Sequence, residues 1–142
     1  MAQPIPMQTF ATAKRGAKTC TRQIGLSKDV SGCYVLMEIS KPYYVGISRG
    51  VVGRLIQHVR GRTHFDASLA YRVASERQRH GMRRQEAMEA PAFLAAFQEA
   101  KLFLASLNVA FIEIGCPVEL YAFELYCCME LDTCQWNTFR TH

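Results

Sequence analysis

The chain of 142 residues has no CxxC pair, a single tryptophan, no internal repeat and no low-complexity stretch. Its six cysteines, Cys20, Cys33, Cys116, Cys127, Cys128 and Cys134, are not spaced as zinc ligands, and two are directly adjacent. The N-terminus, with Pro4, Pro6, Lys14 and Lys18, lacks the apolar segment and small-residue cleavage site of a secretory signal. A disulfide framework is therefore not expected, and the thiols are read as small reduced hydrophobes of the core. The longest uncharged apolar run, Leu102 to Ile112, is too short for a bilayer-spanning helix and is interrupted by Ser106 and Asn108. A cytoplasmic protein with no membrane partner is expected.

The residues present describe a globular chain. Hydrophobic residues make up 49% and charged residues 20%, which excludes global disorder. The length argues for one domain, since typical domains have about 100 to 200 residues. Charge is unevenly distributed. Lys and Arg total 17 against 12 acids, a net charge of +5. Eight arginines lie between Arg54 and Arg84 against Asp66 and Glu76, whereas from Gln85 onward eight acids face only Lys101 and Arg140. Guanidinium is planar, permanently charged and able to donate two parallel bonds, so an Arg-rich stripe suits phosphate; the plainer reading is a solvated helix face.

Residues 1–28 are polar, show no clear apolar period and read as an N-terminal arm with one short helix. Residues 29–142 read as the single domain. Gly32 to Ile39 and Tyr43 to Ser48 are β-branched and aromatic runs separated by Ser40, Lys41 and Pro42, the pattern of a hairpin. A three-residue loop pairs Ile39 with Tyr43, so Glu38 opposes Tyr44, Tyr34 opposes Ser48, and Tyr34 and Tyr44 share a face. A two-residue loop would put the two tyrosines on opposite faces. Arg54 to Arg60 reads as a first helix ended by Gly61. A helical insertion follows at about 67–107: one helix from Ala67 to about Arg84, and one that Pro91 opens and that runs to about Leu107, with Phe93, Phe97 and Leu104 inward. If the former runs through Gly81, Arg72, Arg79 and Arg83 fall within about 20° of one direction and form a basic stripe. Asn108 to Ile114 fits a third strand, and Val118 to Leu131 a last helix before the tail. The expected class is α+β, a small three-stranded antiparallel sheet flanked by helices in the order β-β-α-α-α-β-α.

Several residues invite chemistry. Arg54 and His58 are four apart, so they emerge on one helix face and can reach one phosphate. Glu124 has Leu120, Tyr121, Cys127 and Cys128 as its helical neighbours, an apolar setting in which a carboxylate needs a partner. Taken singly, each has a plainer reading: strand aromatics for the tyrosines, a solvated Arg, a surface His, a buried ion pair, a turn Asn.

As an ordered set, Gly32-Cys33-Tyr34, Tyr44-Val45-Gly46, Arg54, His58, Glu124 and Asn137 resemble the GIY-YIG nuclease superfamily, over about Gly32 to Asn137. Cys33 and Val45 stand where the name-giving motifs have isoleucine, and the helical insertion is a departure. The resemblance implies a magnesium-dependent endonuclease, with manganese as a substitute ion, that hydrolyses DNA phosphodiester bonds. Tyr34 would help deprotonate water, Tyr44 and Arg54 would hold the phosphate, His58 would relay a proton or orient the water, and Asn137 would tie the tail to the site. Glu124 would hold a single metal, with Glu119 and Glu130 as fallback ligands. Arg60, Arg62, His64, Arg72, Arg79 and Arg83 are candidate substrate contacts. The alternative is an inactive nucleic-acid-binding module on the same fold. No second DNA-binding domain is recognisable, so specificity falls to the insertion, the arm, a homodimer or a partner protein.

Overall fold

The computed structural model describes residues 3–12, 14 and 16–137; Met1, Ala2, Ala13, Arg15 and the last five residues of the expected domain lie outside the described residues. The predicted hairpin forms from β-branched and aromatic residues, after one strand and two helices of the arm: β1 (Ile5–Pro6), α1 (Gln8–Ala11) and α2 (Ala17–Gln23) precede β2 (Gly32–Glu38) and β3 (Lys41–Ser48). Next come α3 (Val51–Arg60), α4 (Ser68–Arg77), α5 (Arg84–Glu89), α6 (Pro91–Ala105), β4 (Asn108–Glu113) and α7 (Pro117–Glu130), with a 3-10 turn at Cys134–Trp136. The class is α+β, as expected.

The sheet has four strands among the described residues, in the order β1-β4-β2-β3, and all pairs are antiparallel. The expectation of three strands is corrected by the arm. Ile5 and Pro6 pair with Val109 and Asn108, and the Met7 amide donates to the Leu107 carbonyl at 2.8 Å. Met7, Phe10 and Cys20 are fully buried. Their apolar residues are too sparsely spaced to show a period, and only the free edge of β4 makes a strand of them. Pro6 is tolerated because an edge strand can spare an N–H.

The hairpin register differs from the expected one in two ways that cancel. Glu38 pairs with Lys41, so the loop is the two residues Ile39 and Ser40, with Ile39 at φ 59°. A bulge between Leu36 and Met37 then leaves Tyr43 as an extra residue, after which Leu36 pairs with Tyr44, Tyr34 with Gly46 and Gly32 with Ser48. The two-residue loop shifts parity by one and the bulge shifts it back. Tyr34 and Tyr44 therefore do share a face, by a different route from the one expected.

The expected long second helix is also corrected. α4 ends at Arg77, the chain from Gln78 to Arg83 is not helical, and α5 begins at Arg84, where the Arg83 amide donates to Glu86 at 3.2 Å. Arg72, Arg79 and Arg83 therefore do not share one helix, and the single basic stripe is not formed. Gly81 and the polar run around it lack the apolar positions that would hold a helix against the core. α6 lies as expected, with Phe93, Phe97 and Leu104 buried.

One face of the sheet, with Tyr34, Leu36 and Val109, is buried with residues of α1, α3, α4 and α6 in the main core. The other face, with Cys33 and Val45, is covered by Leu120 and Cys128 of α7. Burying a side chain such as Phe10 contributes about 2 to 3 kcal/mol, which is why the arm is held. All six cysteines are free thiols, and burial pushes that of Cys33 up to about 12. Among the described residues no helix is long and apolar enough to cross a membrane.

Candidate active site

The site is assembled on the hairpin and on α3. This helix has no cap of its own, since its N-cap is Gly50. The cap comes from Asp29, whose carboxylate accepts from the amides of Val52 at 2.8 Å and Gly53 at 2.9 Å while also accepting from Val30 at 2.8 Å. A carboxylate at this end also suits the helix dipole. Asp29 thus holds the segment leading into β2 against the first turn of α3, and the first turn carries Arg54. The sequence reading missed this residue. The available signal was negative: the run Gly50-Val51-Val52-Gly53 opens a helix without Ser, Thr, Asp or Asn, so its orphan amides must find a distant acceptor.

His58, one turn after Arg54, is fully buried. Its Nε2 lies 2.7 Å from the Tyr34 hydroxyl, and its ring packs edge-on against Tyr34 and Tyr44, with centroids 5.7 and 5.8 Å away. The plain reading of a surface histidine is thereby overturned. Burial, with Arg54 nearby, lowers its pKa to about 3, so the imidazole is neutral at ordinary pH. His58 Nδ1 has no hydrogen-bond partner among the described residues.

Tyr34 and Tyr44 have ring centroids 6.1 Å apart. Gly46 explains how they fit: a Cβ there would stand 2.5 Å from the Tyr34 hydroxyl and 2.8 Å from the Tyr44 ring. The absence of a side chain at Gly46 is thus a packing requirement of the tyrosine pair, because Gly46 is the cross-strand partner of Tyr34. Burial raises the Tyr34 pKa well above its ordinary value; neighbouring Tyr44 adds to this and Arg54 opposes it. Burial also raises Tyr44, against the opposing pull of Arg54 and Arg72.

Arg54 is partly exposed, and its guanidinium is splayed between Gln57 Oε1 at 3.0 Å, the Asp66 carbonyl at 3.0 Å and Ser68 Oγ at 2.8 Å. The Asp66 carbonyl and Ser68 Oγ, with the exposed Gln57 beside them, orient the group before any ligand arrives. Arg72, from α4, donates to the Trp136 carbonyl and lies close enough to Tyr44 to favour its ionised form. Of the basic residues proposed from sequence, Arg54 and Arg72 are the two whose charge is felt at Tyr44.

From the opposite side come Glu124 and Asn137. Asn137 Nδ2 donates to the Val45 carbonyl at 3.0 Å and to Glu124 Oε1 at 3.3 Å, tying the tail, α7 and β3 together. Burial raises the Glu124 pKa, and the Asn137 bond opposes that shift. Glu119 and Glu130, the fallback ligands, are exposed and stand more than about 100° around α7 from Glu124, so they do not join it.

The remaining candidates lie apart. Arg60 and Arg62 line a surface groove with Gln57, Thr63 and Asp66 at the end of α3. His64 stacks on Phe65 at 4.0 Å and on Tyr71 at 5.8 Å, and so belongs with the α4 surface and not with the tyrosine pair. Arg79 and Arg83 are exposed around the break between α4 and α5.

A magnesium ion takes hard oxygen ligands, keeps several waters and needs only one or two carboxylates. Glu124 supplies one carboxylate, and beside it the buried Asn137 Oδ1 has no hydrogen-bond partner among the described residues. That donor set fits a single hydrated magnesium. It does not fit a two-metal clamp, since among the described residues no three His, Cys, Asp or Glu side chains gather as metal ligands. Comparison of the chain with protein-family models, with curated proteins and with solved structures gives no match.

Proposed function

We propose that this chain is a metal-dependent endonuclease of the GIY-YIG type that hydrolyses DNA phosphodiester bonds by nicking or structure-dependent cleavage. The observation that carries the reading is a single cluster drawn from four elements: Tyr34 bonded to His58, Tyr44 packed against both, Arg54 held by three acceptors, and Glu124 tied to the same hairpin through Asn137. These are the residues on which the family resemblance rests.

Burial divides the labour. Tyr34 and His58 are buried, whereas Tyr44 and Arg54 are partly exposed. Phosphate contact therefore falls to Tyr44 and Arg54, and Tyr34 works from behind them. The Tyr34 hydroxyl gives its proton to the neutral His58 Nε2 as the phenolic oxygen takes one from the attacking water. Water oxygen bonds to phosphorus as the bond to the leaving oxygen breaks, and Arg54 balances the charge that grows on the phosphate. Magnesium on Glu124 and Asn137, or manganese in its place, would supply positive charge at the leaving oxygen.

A second reading has its own observation. Burial disfavours charge on both Tyr34 and His58, and a dyad that resists ionisation suits an inactive module that binds nucleic acid through its arginines. The test is to incubate the protein and its Glu124→Ala variant with supercoiled plasmid, with and without magnesium. Magnesium-dependent nicking that the variant loses by about 100-fold or more supports the nuclease. Salt-sensitive DNA binding without nicking by either protein transfers the assignment to the binding module, and equal nicking by both removes Glu124 from the site.

A further inference from the structure

α7 is apolar on two sides. Leu120, Phe123, Cys127 and Cys128 pack with the sheet, as a covering helix requires. On a 3.6-residue repeat, Val118, Ala122, Leu125 and Met129 fall within about 60° of one another on the opposite side. They point away from the protein: Val118 is 77% exposed, Leu125 45% and Met129 73%, and Tyr121 and Tyr126 flank them at 64% and 59%. A helix that covers a sheet with one apolar side ordinarily turns a polar side to water, and here most of that outer side is apolar as well. Beside it the sheet continues past the helix as an apolar cleft with a floor of Val35, Ala110 and Ile112 and a wall of Phe123 and Cys127. These exposed side chains are contiguous along one helix and are not scattered singly, the arrangement that marks an interaction site. Exposed Tyr and Met are also the residue types enriched at interfaces.

Charge selects the occupant. From Asn108 to Asn137 the chain carries five acids and no Lys or Arg. Exposed Glu119 and Glu130 lie together on one flank of the stripe. Arg49 lies beside Pro117 and Tyr121 at the start of the helix, but along the stripe the Glu119 and Glu130 flank disfavours a nucleic acid or an anionic lipid surface. A second copy brings no counter-charge on its own α7, and in an antiparallel two-fold pairing the acidic flanks meet each other. We infer that this surface docks a protein partner presenting an amphipathic helix, apolar along one stripe and bordered by Lys or Arg. The assignment is independent of the nuclease reading, and the stripe faces away from Glu124, so docking leaves the site open.

The test uses two fluorescein-labelled synthetic peptides of about four helical turns with the same leucine stripe, one flanked by lysine and one by glutamate. Fluorescence anisotropy is read with the wild-type protein, with Leu125→Glu/Met129→Glu, and with Glu119→Lys/Glu130→Lys, each checked for a wild-type circular dichroism spectrum. The wild type is expected to prefer the Leu/Lys peptide by roughly tenfold or more. The lysine double variant is expected to reverse that preference, and the glutamate double variant to lose both peptides. Because the charge-reversed protein keeps the apolar stripe intact, it tests the proposal even where the other variant fails to fold. Equal affinity for the two peptides, binding to neither, or binding undiminished by Leu125→Glu/Met129→Glu overturns the proposal. Light scattering that shows a wild-type dimer broken by that variant also overturns it, by assigning the surface to a second copy.

Discussion

Residues 49–84 and residues 108–137 are electrostatic opposites within one small fold. The first stretch carries nine arginines against two acids; the second carries five acids and no basic residue. Most of these charges sit on exposed flanks, where an ion pair is worth little. The two stretches converge at the tyrosine pair, where Arg54 and Arg72 arrive from one side and Glu124 with Asn137 from the other. On the proposed nuclease reading the site holds a phosphate and a cation together, which needs both signs at close quarters. Keeping the signs on separate elements lets each be oriented by its own scaffold: α3 capped by Asp29 for the arginine, α7 and the tail for the carboxylate.

The sharpest way to break this comparison is within the basic half. Arg54→Ala is expected to lower cleavage by about 10² to 10³-fold, because it removes a pre-oriented charge at the reacting phosphate. Arg79→Ala/Arg83→Ala is expected to weaken DNA binding and flatten its salt dependence by about two phosphate contacts while leaving the chemical step intact. Single-turnover cleavage at saturating protein, beside binding titrations at several salt concentrations, separates the two. Equal effects would make the basic half one undifferentiated surface.

The next effect is on stability. The His58 pKa is about 3 in the folded protein against an ordinary 6.5, so as pH falls below 6.5 the unfolded chain binds a proton that the folded chain refuses. The stability that depends on neutral His58 is complete above pH 6.5 and is lost as pH falls toward 3, at about 1.4 kcal/mol per pH unit, or roughly 2 kcal/mol by pH 5. Urea unfolding across that range should show the slope, and His58→Gln should flatten it.

Asp29→Ala should cost roughly 1 to 2 kcal/mol by leaving the amides of Val52 and Gly53 without their acceptor. It should also lower cleavage more than that loss of stability accounts for, since α3 carries Arg54 and His58; a proteolysis assay beside the cleavage assay would tell these apart. The smallest effect is a gain. Ile39 is exposed and β-branched at φ 59°, so Ile39→Gly should stabilise the hairpin by about 0.5 to 1 kcal/mol in thermal unfolding.

How much of this was legible depended on whether the signal was local. The hairpin runs, α6 with its Phe93 and Phe97 face, β4 and α7 all followed from period and composition within one element. The break between Arg77 and Arg84 was only half legible: Gly81 marked it, but the stop came earlier, where apolar contacts with the core ran out. β1 was illegible, because two residues of the arm become a strand only beside β4. In the site, the spacing of Arg54 and His58 was readable on a helix, whereas the burial of His58 and its bond to Tyr34 needed the sheet beneath that helix.

Sequence alone therefore determined the α+β class, the segregation of charge and the apolar strands. Those properties depend on composition and on periods of two or 3.6 residues, which neighbouring positions express without help from the rest of the chain. Tertiary structure alone decided the parity that sets Tyr34 and Tyr44 on one face, through a turn at Ile39 and a bulge at Tyr43 whose shifts cancel. It also decided the borrowed cap from Asp29, the neutral state of His58 and the tether from Asn137 to Glu124. The last three are contacts between residues more than ten positions apart, or the desolvation that follows from such contacts, and no local pattern encodes which distant partner will be close enough to make them.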